Sequence, residues 1–263
     1  MADASDQDSD QNQPQREASF APTQWTELVD PAGKESSPEA NAALAELCRI
    51  YWYPLYVYVR RRGYSPENAE DLTQGFFEHI LERNFLGGAD RKKGKFRSFL
   101  LASLNYYLSN EREREQAQKR GGGKLIRSLD EEPPEDRYAQ EPVSQEASPE
   151  AVFEGHWAMT VLHRAKEQLQ QGYAHRGKEA LFERLKLFLA QETGAGDYRR
   201  LAQELGLSSG SLATAVSRLR HDYRKCVRDQ IARTVTNEEE IEGELRHLIS
   251  VLSSVRGVDC GLL

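Results

Sequence analysis

Three stretches of this chain carry residue types suited to meeting a polyanion or a partner helix. The sharpest is Tyr198 to Arg220. A short helical pattern, a glycine at Gly206 and a longer helical pattern follow one another there, which is the helix-turn-helix plan. Ala202 is small where two helices must approach, and Gly206 suits a left-handed turn position. Leu201, Leu205, Leu207, Leu212, Ala215, Val216 and Leu219 make the internal face. Ser209, Ser211, Thr214, Ser217, Arg218, Arg220 and His221 are left on or near the outer face of the second helix. Side chains in a major groove must be small or hydrogen-bonding, and arginines on later turns reach phosphates. Small hydroxyls dominate here, which predicts modest sequence discrimination. A plain helical hairpin would show the same apolar spacing.

The second stretch is Glu70-Asp71-Leu72-Thr73-Gln74-Gly75-Phe76-Phe77. Glu70, Asp71, Gln74 and Glu78 fall on a polar side next to an apolar stripe of Ala69, Leu72, Phe76, Phe77 and Ile80. Such a face suits a partner helix, although a solvated face has the same composition. The third stretch follows the basic loop Arg91-Lys92-Lys93. It runs from Phe96-Arg97-Ser98-Phe99-Leu100 through Asn105-Tyr106-Tyr107 and Asn110 to Arg112 and Arg114. Cations interleaved with aromatics suit single-stranded nucleic acid, whose bases stack and whose backbone needs neutralising. Tyr106 and Tyr107 are adjacent, so both cannot point the same way.

Nothing comparable points to catalysis. His156 and His163 share a helical face, but no carboxylate or cysteine pattern completes a metal site or a triad around them. Gly121-Gly122-Gly123-Lys124 lacks the spaced first glycine and the hydroxyl residue of a phosphate-binding loop. Cys48, Cys226 and Cys260 are odd in number and unmatched in spacing, which predicts ordinary thiols. The expectation is a protein that is not an enzyme and holds neither cofactor nor metal. No window is apolar enough to cross a bilayer, and the acidic, Gln-rich start is unlike a secretory signal, so a cytoplasmic protein without membrane contact is expected.

Helix formers dominate the elements that must position these residues, and long alternating Val, Ile and Thr runs are absent. The predicted fold is all-α. A helical domain over 19–118 and a helix-turn-helix domain over 151–236 are joined by an acidic, Gly- and Pro-rich flexible linker over 119–150. A disordered tail over 1–18 and a second tail over 237–263 flank them. Phe20, Trp25 and Leu28 suggest a short docking segment. A helix is predicted from Pro38 through Ile50, with Pro54 kinking it or starting another that ends at Gly63. Ser65-Pro66-Glu67 is a strong helix start. The last tail holds one amphipathic set, Ile241, Leu245, Leu248 and Leu252.

The formal charge of -7 conceals a pattern. Residues 49–120 hold 14 Lys and Arg against 9 Asp and Glu, and residues 156–236 hold 14 against 8. The three flanking segments are acidic; residues 121–155 hold 3 cations against 9 acids. Two basic blocks between acidic segments predict polyanion contact by two separate modules. Basic solvated faces would give the same count.

In this order the elements resemble the extracytoplasmic-function sigma factors of bacterial RNA polymerase. The carrying residues are Tyr53-Pro54-Leu55-Tyr56 to Arg62, Ala69-Glu70-Asp71-Leu72-Thr73-Gln74, Phe96-Arg97-Ser98-Phe99-Leu100, a linker, and the helix-turn-helix. Lys119-Arg120-Gly121-Gly122-Gly123, Ser128-Leu129-Asp130 and Arg137-Tyr138 look like a planctomycete-like subgroup. The resemblance covers roughly 20–140 and 178–236. It departs from the family at Phe99, where a Trp is usual, at Tyr106 (or Asn105) and Asn110, where Asn and then Asp are frequent, and at Glu111, Glu113 and Glu115, which dilute a basic run.

The resemblance implies that the helix holding Asp71 and Gln74 docks on the clamp helices of the large polymerase subunit. It implies that the basic loop and the helix after it melt the promoter element near -10 and hold a flipped base. The helix-turn-helix would read the element near -35. Core RNA polymerase and promoter DNA are the implied partners, and an anti-sigma or other regulatory protein is a further one. The linker would thread polymerase channels normally used by RNA, and its acidity suits a polyanion mimic. About 35 flexible residues have a root-mean-square span of roughly 30 to 35 Å, and stretched they reach about 115 Å. The two elements lie about 60 Å apart on B-form DNA, so the linker must be held extended. Two other readings remain open: a helix-turn-helix regulator that does not join polymerase, and a pure interaction protein without salt-dependent DNA affinity.

Overall fold

A computed structural model describes residues 38–82, 96–117, 134–140, 147–190, 195–235 and 238–255. These residues form helices and connecting turns, with no strand among them. The chain is all-α, as its composition predicts. The tail over 1–18, the segment with Phe20, Trp25 and Leu28, and the triple glycine lie outside the described residues.

Helix α1 (Pro38–Arg61) runs unbroken through Pro54. Every residue from Tyr51 to Val59 is buried, which makes α1 a helix wrapped on all sides rather than a surface helix. Gly63, at φ 90°, ends this stretch. Ser65 then starts α2 (Pro66–Glu82), its hydroxyl accepting from the Asn68 amide at 3.3 Å. α2 lays Ala69, Phe76, Phe77 and Ile80 inward. Helix α3 (Phe96–Ala117) buries Phe96, Leu100, Leu104 and Leu108 at helical spacing.

Two described features differ from the predicted linker and its flanking modules. A short helix, α4 (Pro134–Gln140), stands inside the predicted flexible linker and is fastened to α1. Glu135 takes a two-pronged ion pair from Arg60, at 2.8 Å to each oxygen, and a 2.6 Å bond from the Tyr56 hydroxyl. Arg137 lies 3.7 Å over the Tyr53 ring, and Arg60 lies 5.0 Å over Tyr138. Gly, Pro and acid content predicts a strap, but Arg60 and the α1 tyrosines give these residues partners that outweigh it.

The second feature is a helix shared by both predicted modules. Helix α5 (Pro149–His175) is capped by the Ser148 hydroxyl, with Pro149 at its first position. Its 27 residues span about 40 Å. The first half packs on α1, with Phe153 edge-on to Tyr58 and His156 edge-on to Tyr53. The second half packs on the last long helix of the helix-turn-helix, where Tyr223 bonds the Leu162 carbonyl at 3.1 Å and Gln230 bonds Gln168 at 2.7 Å. The described apolar side chains therefore form one connected core.

Beyond Gly177, at φ 67°, come α6 (Glu179–Leu185), α7 (Leu187–Ala190), α8 (Ala195–Glu204) and α9 (Ser209–Ala232). Helix α10 (Glu238–Val255) occupies most of the segment predicted as a tail. It packs on α5 and α9, burying Ile241, Leu248 and Val251, with Leu245 and Leu252 half-buried. The amphipathic spacing is as predicted. This part of the tail is a packed helix, because the core offers its apolar face a seat. No described helix is long and apolar enough to cross a membrane.

Candidate nucleic-acid interface

The helix-turn-helix is built by local backbone chemistry. At the end of α8 the Leu207 amide reaches back to the Ala202 carbonyl at 2.9 Å, and the Gly206 amide to Gln203 at 3.2 Å. This pair of bonds closes a helix end around a residue with positive φ, here Gly206 at 64°. Ser208 then caps α9, accepting from the Ser211 amide at 3.1 Å. Ala202, Leu212, Val216 and Leu219 are buried between the two helices, and Phe188 of α7 packs edge-on against Tyr198 of α8. Leu207, predicted internal, is 39% exposed. It follows the turn glycine and precedes α9, so neither helix covers it.

The outer face of α9 is open. Ser209, Ser211, Thr214, Ser217 and Arg218 are all exposed. Ser211, Thr214, Arg218, His221 and Lys225 follow one another at three- and four-residue steps, which puts them on one stripe. The hydroxyls rest in local bonds: Ser211 with Ser208 at 2.9 Å, and Thr214 with the Gly210 carbonyl at 3.0 Å. Each hydroxyl oxygen can still accept. Arg220 departs from the prediction. Its guanidinium turns inward and donates to the Phe188 carbonyl at 3.0 Å, tying α9 to the short helix α7.

The α2 face is also present. Asp71 is exposed, and Glu70, Gln74 and Glu78 are half-buried, with Gln74 bonded to Glu78 at 3.2 Å. Thr73, on the opposite side, bonds the Ala69 carbonyl inside the core at 2.7 Å. The segment thus keeps an outward polar side.

The third stretch divides. Tyr106 is 63% exposed, whereas Tyr107 turns in between Phe76 and His79 and over the backbone of Gly75. Burial pushes the Tyr107 hydroxyl up to about 12. A Cβ at Gly75 would stand 2.5 Å from that hydroxyl, so the glycine makes room for the α2–α3 contact. Arg112 and Arg114 are exposed, Arg114 pairing with Glu111 at 2.7 Å. Asn110 is half-buried. Asn105 is half-buried too, accepting from Tyr58 at 2.9 Å and from Arg62. Arg91, Lys92 and Lys93 lie outside the described residues.

Arg97 is the largest correction. It was expected on a nucleic-acid face, yet it is only 4% exposed. Its guanidinium pairs with Glu154 of α5 at 3.0 Å and with Glu244 of α10, and it lies 4.7 Å over the Trp157 ring. Two carboxylates and an aromatic face compensate for its loss of water. The sequence held one overlooked signal. Glu244 interrupts the apolar positions Ile241, Leu245 and Leu248, where a charge needs a buried partner. Arg60, Glu135, Glu154 and His247 carried no comparable mark. Compared with family models, curated proteins and solved structures, the chain matches none of them.

Proposed function

We propose that this chain is a sigma-type transcription initiation factor, which binds core RNA polymerase through α2 and promoter DNA through α9 and α3. The observation that carries this reading is the open stripe on α9. A capped helix behind a tight glycine turn presents small hydroxyls first and cations later, the order that suits base edges and then phosphates. The exposed Asp71 on α2 and the exposed Tyr106, Arg112 and Arg114 on α3 support it as further faces for partners. The resemblance of element order to the extracytoplasmic-function sigma factors supplies the roles: docking for Glu70, Asp71, Gln74 and Glu78, contact near -10 for the α3 residues, and contact near -35 for α9.

Side-chain exposure guides the residues proposed for each role. Ser209, Ser211, Thr214, Ser217 and Arg218 stay in the upstream set, with His221 and Lys225 added on the same stripe. Arg97 and Arg220 are left out of the sets for this arrangement, in which both side chains are engaged by the chain itself. Run-off transcription with core polymerase on a promoter library tests the reading. Transcripts above the core-only background are expected. Arg218→Ala should weaken promoters that depend on the upstream element, and Asp71→Ala should weaken all promoters. Absence of any promoter-directed transcript overturns the reading.

A regulator that binds DNA without joining polymerase is the second reading, favoured by the same α9 stripe. It predicts DNA binding unchanged by Asp71→Ala and no co-purification with core polymerase.

A further inference from the structure

Arg97 stands where three helices from distant parts of the chain meet. Besides Glu154, Glu244 and Trp157, His247 joins the cluster, reaching Glu154 at 2.8 Å one turn beyond Glu244 on α10. Glu244 is only 3% exposed. An ion pair withdrawn from water specifies an arrangement more than it stabilises it, because desolvation offsets the attraction. The rest of the α10 attachment is narrow. Ile241, Leu248 and Val251 are its buried apolar residues, its other side is exposed, and its ion pair from Glu242 to Arg228 lies at the surface. By contrast, α1 buries nine consecutive residues and α5 eight along its length. Elements with few apolar contacts open before the rest of a fold.

We propose that α10 is a releasable strap: Glu244 joins Glu154 in holding Arg97 inward, and the departure of α10 frees the Nη1 that Glu244 held, making the start of α3 a cationic site for a nucleic-acid phosphate. The guanidinium fork matches a phosphate as it matches a carboxylate, so the same donors serve both states. The nucleic-acid half rests on the sigma-type reading, whereas the release of α10 does not.

Hydrogen exchange of the full chain tests the release. Amides of 241–252 are expected to exchange about tenfold or more ahead of those of 157–169 and 216–227. Glu244→Gln should speed 241–252 by about a further tenfold and leave the other two segments unchanged. The pair Arg97→Met with Glu244→Met should restore slow exchange, since an apolar pair of similar volume keeps the seam closed. The strap is overturned if 241–252 exchanges together with α5 and α9, if it ignores Glu244→Gln, or if that variant speeds every helix alike. Anisotropy with a single-stranded oligonucleotide tests the second half. Glu244→Gln should bind several-fold more tightly than the methionine pair, with the advantage shrinking as salt rises. Equal binding by the two variants overturns the phosphate site while leaving the exchange result to decide the strap.

Discussion

The two basic blocks have nearly the same charge, but the cations described in each differ in how many are drawn into the fold. In the first, Arg60 and Arg97 turn toward carboxylates from other parts of the chain, Glu135 for one and Glu154 with Glu244 for the other. In the second, Arg199, Arg200, Arg218, Arg224 and Lys225 remain on the surface. The acidic segments between and after the blocks supply, in part, their internal counter-charges. A block's net charge sets the potential around it and says nothing about which cations are spent inside the fold.

That contrast can be tested by substitution. The largest effect is expected at Arg97. Arg97→Ala leaves Glu154 and Glu244 facing each other without their cation and should cost about 3 to 5 kcal/mol. Arg218→Ala, on the exposed stripe, should stay within about 0.5 kcal/mol. Urea unfolding of the two variants measures both, and equal losses would erase the distinction between the blocks. Gly206→Ala comes next. Its positive φ puts a Cβ against the following carbonyl, at about 1 to 2 kcal/mol, and thermal unfolding should show the loss. Ser208→Ala removes the α9 cap, at about 1 kcal/mol, with exchange rising at the first α9 amides.

The smallest effect is expected at α4. The hydrogen bonds from Arg60 hold the Glu135 carboxyl below its ordinary value near 4.5. A depressed carboxyl contributes above its unfolded value and loses that contribution as pH falls through its folded one. Amides of 134–140 should therefore lose protection below about pH 4.5 while α1 stays protected. At neutral pH, Glu135→Gln should make the bond after Arg137 more open to trypsin, as read by mass spectrometry.

Much of the helical frame was legible because it rests on local chemistry. Ser65-Pro66 opens α2, and Gly206 with Ser208 builds the turn before α9. The Ile241, Leu245 and Leu248 spacing marks α10. What could not be read was long-range pairing. Glu135, Glu154 and Glu244 look like solvated acids in sequence, since their partners lie 75, 57 and 147 residues away. For the same reason Arg97 resembled a surface cation, although Phe96 and Leu100 beside it are buried. Tyr106 and Tyr107 show the intermediate case. Adjacency in a helix separates their directions, but only the packing at Gly75 decides which one turns inward.

Sedimentation of the chain with core RNA polymerase tests the central claim most directly. The account predicts a stoichiometric complex that Asp71→Ala weakens about tenfold or more and Arg218→Ala leaves intact, because it assigns one exposed face to polymerase and the other to DNA. No complex with core polymerase, or equal weakening by both substitutions, would contradict it.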